Sequence, residues 1–463
     1  MLSGNTVYEA LKVPQETYLK RFIDRRGFFC NYSATNHQTM QGGMMKKTAI
    51  MSIALATSVA IAMTGCATGG AEQSDGKTVS VLSAFTEAAP QFAAQAELIA
   101  KFEKDTGIKV DLVTAGENIA DEFEAAQFGG KAPDVVLTNL VEKSVDWVKT
   151  GAAVPVDSFI ADWGLTDRLN PAAVDEWRDA EGQAQGFPYL GFVWPVWYNM
   201  DLLEQAGVDS IPTTTDELIS ASDKLNAAGI APLIVGGNDW SGQKMFLQFM
   251  QSYATADEVK DVLGNGGYCA SSNVMKGIEL FAKLRDAGVF IADVEGYTAD
   301  QMNSTFYAGG AAIMSAGSWA FASVPERLNI QLGGLPVPSG SSFANPTAMQ
   351  GYTATGIFVS AEGAKNIDAV KQFVLAWYEP EVAGKMAEVG SYTTAVTSDQ
   401  PITITNVLLA AAVNDLPSKV DFALLPDTYI PGGLADAMIR QTSAAYAKGT
   451  TPDAICSGLD SLY

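Results

Sequence analysis

Apolar and polar side chains alternate in Thr78-Val-Ser-Val-Leu82, the rhythm of a β-strand, and Ile108, Val110 and Leu112 repeat it. Between them Phe92, Ala96, Ile99 and Phe102 recur at helical spacing, and Gly107 stands where a left-handed C-terminal cap is expected. Ala132-Pro-Asp-Val-Val-Leu-Thr-Asn139 reads as a third strand, polar at its C-terminal end. Strand, helix, strand, helix, strand predicts right-handed βαβ units and a mostly parallel sheet. Farther along, Asn199 opens a helix. Thr214 with Glu217 forms a capping box at the head of another, which stops at Gly229. Ala231 to Val235 reads as a buried strand followed by the loop Gly236-Gly-Asn-Asp-Trp240. Another strand ends at Gly317-Ser-Trp319, and Ile330 to Pro338 holds one more. Ile367, Val370, Phe373, Val374 and Trp377 form one face of a late helix. The expected fold class is α/β.

In open α/β sheets ligands gather outside the carboxyl ends of strands. Those ends are Phe85-Thr-Glu87, Thr138-Asn139, Asn238-Asp-Trp240 and Ser318-Trp319. Aromatics with amides and carboxylates, and no guanidinium or imidazole, suit a sugar. Its C–H faces stack on rings, and its hydroxyls both donate and accept. A phosphate or carboxylate ligand would call for Arg forks or Lys. From residue 66 onward there are five Arg (168, 178, 285, 327 and 440), none at an identifiable strand end. Trp240 and Trp319, in Gly/Asn/Ser loops, are the leading stacking candidates. Trp147, Trp163, Trp177 and Trp377 read as packing residues, and one of Trp194 and Trp197 as core. Asp239 could instead close an Asx-turn, and Asp134 reads as a local cap.

Charge narrows the partners. The 463 residues hold 52 acidic and 29 basic side chains, a net −23, with one histidine, His37. Such a surface repels nucleic-acid phosphates. Residues 44–66 join Met-Met-Lys-Lys to an apolar run, Thr48 to Met63, and then Thr64-Gly-Cys66. This is a signal peptide pattern, too short and too Ala/Ser/Thr-rich for a comfortable membrane span. Its end resembles a lipoprotein lipobox, with Met63 in place of the usual leucine. By that resemblance Cys66 is lipidated and begins the mature chain. Residues 1–43 are expected to be an upstream extension outside the native protein, 44–65 the signal peptide and 66–77 a flexible tether.

From residue 66 the chain carries 49 acidic and 22 basic residues, net −27, and no histidine. Ser-His-Asp and Cys-His catalysis and histidine metal sites are thereby excluded. No cofactor and no metal are expected. With Cys30 and Cys66 set aside, Cys269 and Cys456 remain, either as a disulfide or as two buried thiols. A glycosidase would need two carboxylates ~5–10 Å apart, which the sequence alone does not place.

Four segments together resemble a known family. Phe102-Glu-Lys-Asp-Thr-Gly-Ile-Lys-Val110 and Ala132-Pro-Asp-Val-Val are two of them. The third is Gly186-Phe-Pro-Tyr189 through Trp197-Tyr-Asn-Met-Asp-Leu-Leu203 to Pro212-Thr-Thr-Thr-Asp-Glu217. The fourth is Phe306-Tyr-Ala-Gly-Gly-Ala-Ala-Ile-Met314 with Gly317-Ser-Trp-Ala320. In order, they are similar to segments of the extracellular solute-binding proteins of bacterial ABC importers, in the group that includes maltose-binding protein. The resemblance implies a two-lobe periplasmic-binding-protein-like fold closing on a sugar or oligosaccharide, with hinge crossings near residues 190–196 and 334–340. It implies an N-terminal lobe of 78–190 and 340–395 and a C-terminal lobe of 191–335 and 396–463.

Taken with the strand ends, the expected ligand residues are Glu87, Asn139, Tyr189, Phe192, Trp194, Asn238, Asp239, Trp240, Ser318, Trp319 and Tyr352. The expectation is a monomeric lipoprotein on the outer face of the cell membrane. It would bind carbohydrate without covalent chemistry and deliver it to permease subunits. A secreted carbohydrate-active enzyme, a binder of a non-sugar solute such as a polyamine, and a structural surface protein stand as alternatives.

Overall fold

The computed structural model describes residues 77–139, 141–179, 181–398 and 404–463. His37, Cys30, the 44–65 segment, Cys66 and the tether up to residue 76 lie outside the described residues.

The described strands are β1 (Thr78–Ser83), β2 (Lys109–Thr114), β3 (Val135–Thr138), β4 (Phe187–Trp194), β5 (Val196–Asn199), β6 (Leu233–Ile234), β7 (Ile313–Ser315), β8 (Ile330–Gly333), β9 (Thr347–Val359), β10 (Thr393–Thr394) and β11 (Asp421–Phe422). They build two sheets. The larger runs β10-β4-β9-β3-β1-β2, with β11 also pairing to β9; the smaller runs β6-β7-β5-β8. Helices pack on each, so the chain forms two α/β lobes.

The opening βαβαβ run folds as its pattern predicts. β1 pairs in parallel with both β2 and β3. The helix Phe92–Thr106 ends at Gly107, whose φ of 75° is the left-handed cap. Thr214 and Glu217 close the expected capping box on the helix Thr215–Ala227. Asp134 does more than a local cap: it accepts from Ser80 N–H at 2.8 Å and Ser80 Oγ–H at 2.9 Å, tying β1 to β3.

The expectation of a mostly parallel sheet fails beyond this point. β9 runs antiparallel to both β3 and β4, and β10 antiparallel to β4; β5 runs antiparallel to β7 and β8. The reason is the crossing of the chain between lobes. β9 returns from the second lobe and enters the larger sheet from the opposite end.

The first crossing is a single residue, Pro195, between β4 and β5. β4 stays in the larger sheet to Trp194, so the expected lobe boundary at 190–191 falls within a strand. The second crossing, 334–346, is strapped where Leu335 and Thr347 exchange backbone hydrogen bonds of 2.6 and 2.8 Å. Gln248 of the second lobe adds Nε2–H bonds to Thr347 O and Oγ at 2.9 and 3.0 Å.

Each lobe has its own core. Phe102, Phe187, Tyr189 and Trp377 belong to one; Trp197, Phe246, Phe281 and Tyr446 belong to the other. The C-terminal helix Pro452–Asp460 closes the second core. Asp460 accepts from the backbone N–H groups of Gly267, Tyr268 and Cys269 at 2.8, 2.7 and 3.1 Å. Cys269 and Cys456 are joined as a disulfide, Cα atoms 5.1 Å apart.

One buried carboxyl in the first lobe gives a stability prediction. Glu176, on the helix Pro171–Glu176, accepts from the Tyr352 N–H at 2.6 Å. Burial nonetheless pushes its pKa up to about 7. A carboxyl raised in the folded state binds its proton more tightly there than in the unfolded chain. Folding is therefore most favourable below the ordinary value near 4.5 and loses stability as pH rises towards 7. Glu176→Gln keeps an oxygen for Tyr352 and removes the charge. The variant is expected to gain ~2 kcal/mol over the parent by pH 7.5, after allowance for partial solvation, and little at pH 4.5. Urea unfolding at the two pH values checks this; an equal offset at both would exclude it.

Candidate functional site

Between the lobes lies a cleft of about 220 Å³. Three indoles form its wall. Trp194 ends β4 in the first lobe. Trp240 begins the helix Trp240–Met250, and Trp319 lies in the 3-10 turn Ser318–Ser323 after β7, both in the second. Trp194 meets Trp319 with ring centres 5.2 Å apart and Trp240 at 5.7 Å, both edge to face. Trp240 and Trp319 are 5.8 Å apart. Phe192 packs on Trp319 at 5.3 Å and Tyr392 at 6.1 Å. Trp240 and Trp319 are half-buried where they border the cleft, and Trp194 is almost fully buried behind them. The chain bends to permit this: a methyl group at Gly317 would collide with the Trp319 ring.

Polar groups line the remainder. The Oδ1 atoms of Asn139, at the end of β3, and Asn303 are buried with no hydrogen-bond partner. Buried acceptors are normally satisfied, so this pair is suited to ligand donors. At the floor, Lys244 forms an ion pair with Asp427, whose other oxygen accepts from Thr353 Oγ–H at 2.9 Å. Glu142 shares this buried node. Burial raises its pKa, with Asp427 adding and Lys244 opposing. Burial also works against the Lys244 charge, but the Asp427 and Glu142 carboxylates outweigh it and hold the ammonium above its usual pKa. Glu117 and Asp300 also line the cleft, one from each lobe. Partial burial, then Asp300 and Asp239, raise the Glu117 pKa, and a hydrogen bond with the Trp240 side chain opposes them.

Of the residues expected from the sequence, Asn139, Phe192, Trp194, Trp240 and Trp319 converge on this cleft. The rest do not line it. Tyr189 is fully buried, edge-on to Trp377 and Tyr378 at 5.5 Å each, because it points to the opposite face of β4 from Phe192. Tyr352 points away from its neighbour Thr353, and its hydroxyl accepts from Asn170 at 2.8 Å. Asp239 is consumed as a cap: its carboxylate accepts from Ser241 N–H at 3.0 Å and Ala299 N–H at 2.5 Å, the Asx-type alternative. Asn238 is exposed, its N–H donating to Tyr297 O. Ser318 is buried, its hydroxyl 3.5 Å from the Val193 N–H that donates to it. Glu87 is exposed in the loop after β1.

Sequence reasoning missed Glu117, Glu142, Lys244, Asp300, Asn303, Thr353, Tyr392 and Asp427. Only Lys244 carried a local signal. It lies four residues after Trp240 and so shares its helix face.

A sequence profile of the bacterial extracellular solute-binding proteins matches residues 83–384. The chain belongs to that family. This solute-binding protein is similar in structure to a probable secreted solute-binding lipoprotein of Streptomyces coelicolor. The two are 38% identical, with a TM-score of 0.72 over 84% of this chain and 99% of that one. A probable sugar-binding periplasmic protein of Rhizobium meliloti is 31% identical over 160 residues, 33% of this chain and 38% of its own length. The fructooligosaccharide ABC transporter substrate-binding protein of Streptococcus pneumoniae is 21% identical over 349 residues, 66% of this chain and 61% of its own length. The family is one of solute binding and not an enzyme family. Among the described residues no three metal-ligating side chains gather as a metal site, and no helix is long and apolar enough to cross a membrane.

Proposed function

We propose that this protein captures a carbohydrate outside the cell and delivers it to the permease of an ABC importer, without covalent chemistry. The observation that carries the reading is the cleft itself. Indoles contributed by both lobes stand beside two buried, unpartnered amide oxygens. A flat ring bearing hydroxyls satisfies both at once: C–H faces stack on the indoles, and O–H groups donate to Asn139 and Asn303. The names of the rhizobial and streptococcal relatives point the same way. A ligand touching both lobes stabilises the closed form by its differential affinity, which is what a permease can read.

The lipobox-like Met63-Thr-Gly-Cys66 and the Streptomyces likeness support a protein held to the outer face of the membrane by lipid on Cys66. Within this reading it acts as a monomer. The described lobes take 78–194 and 347–395 on one side of the hinge and 196–333 with most of 404–463 on the other.

Thermal-shift screening tests the function. Mono- and oligosaccharides are expected to raise the midpoint by mass action, ~2.7 kcal/mol at a hundred times Kd, while leaving the chromatographed sugar uncleaved. Shifts from spermidine or putrescine with none from any sugar would assign a non-sugar solute. Cleavage at enzymatic rates would assign an enzyme.

A further inference from the structure

The floor of the cleft carries charge that stacking and amide bonding leave unexplained. Glu142, on the short helix Val141–Ser144 after β3, lines the cleft together with Lys244 and Asp427. The three are 8%, 4% and 4% exposed. Asp427 is spent within the protein: one oxygen accepts from Lys244, the other from Thr353 Oγ–H at 2.9 Å. Lys244 gives one of its three N–H groups to that pair, and among the described residues the other two meet no acceptor. Glu142 differs from both. Among the described residues no side chain donates to its carboxyl, and its hydrogen bond comes from its own backbone N–H. A carboxyl more than nine-tenths buried without a side-chain partner is costly unless a further group completes it. Because Glu142 lines the cleft, a ligand can be that group.

The chemistry of the floor selects what reaches it. A second ammonium would be brought close to Lys244 where water screens poorly, and a carboxylate or phosphate close to Glu142 and Asp427. A hydroxyl incurs neither cost. It donates to the Glu142 carboxylate while its oxygen accepts from Lys244. Burial raises the Glu142 pKa, and a hydroxyl also suits the protonated acid, from which it accepts. Glu142 belongs to the first lobe and Lys244 to the second, so a hydroxyl held by both favours the closed form. We infer that Glu142 is a specificity-determining residue: with Lys244 it reads a free hydroxyl on the innermost ring of the sugar and rejects a ring deoxygenated or methylated at that position. This rests on the carbohydrate reading and sharpens it.

Calorimetry tests the inference. Glucose, galactose, mannose, maltose and cellobiose are ranked first, followed by the monodeoxy derivatives of the tightest. One derivative is expected to bind about a hundredfold or more weaker than its parent, because the missing hydroxyl leaves buried polar groups unpaired. In Glu142→Leu that penalty should fall to about tenfold or less, and in Glu142→Ala likewise. Lys244 keeps Asp427 in both variants, so the buried ion pair of the fold is retained. Derivatives that all bind within about threefold of their parent overturn this inference and leave the carbohydrate function standing. A penalty unchanged in either variant overturns it also, since the hydroxyl is then read elsewhere. No sugar binding, here or in the thermal-shift screen, removes both.

Discussion

Lys244→Met is expected to destabilise the ligand-free protein by ~3–5 kcal/mol, because it leaves Asp427 and Glu142 as buried carboxylates without their cation. All three side chains are at least nine-tenths buried. Water cannot replace the lost ammonium, so the penalty is the desolvation of an uncompensated charge and not the net worth of the pair. Burial already raises the Glu142 pKa, so its protonation would be the relief available, and the loss should therefore lessen in acid. Adding Asp427→Asn to Lys244→Met should restore most of the stability, since removing both partners of a buried pair is often close to neutral. Urea unfolding of the single and double variants decides it; a single-variant loss under ~1 kcal/mol would place the node in contact with solvent. The node also joins the lobes, through Thr353 of β9 and Lys244 of the second-lobe helix. Its loss should lower the cooperativity of unfolding between the two cores.

Trp319→Ala should weaken ligand binding by ~3 kcal/mol, more than a hundredfold in Kd. Trp319 is the ring that the others share: it meets Phe192, Trp194, Trp240 and Tyr392, and packs against both cores. Truncation removes a stacking face and leaves a gap where Gly317 has already given up its own side chain. Trp319→Phe keeps a ring and should recover about half of the loss. Trp240→Ala, at the edge of the same cluster, should cost ~2 kcal/mol. Calorimetry on folded variants provides the measurement. Affinity unchanged in Trp319→Ala would remove the indole from the site and, with it, the ground for reading the cleft as a sugar site.

How far each feature could be read in advance followed the range of the interaction that creates it. Gly107, the Thr214–Glu217 box and the strands of the opening βαβαβ run depend on neighbours within a few residues, and they form as their spacing predicts. Asn139, Trp240 and Trp319 follow from a rule of topology, that strand ends in α/β sheets carry ligands. Tyr189 lies away from the cleft on a strand, β4, whose every residue is buried, and Tyr352 turns its hydroxyl to Asn170. A continuous apolar run hides the alternation that would show which side faces the cleft. Asp239 carried the right chemistry at the right loop, yet the local backbone claimed its oxygens first.

The sequence by itself determined the family, the α/β elements and the supply of indoles and amides from which a sugar site can be made, because these rest on local periodicity and short motifs. The tertiary structure alone decided the mixed sheet, the disulfide and the charges of the cleft. Lys244 meets Asp427 across 183 residues of chain, and Glu117 and Asp300 reach the same cleft from opposite lobes. Only folding brings such groups within the few ångströms over which burial and Coulomb forces act.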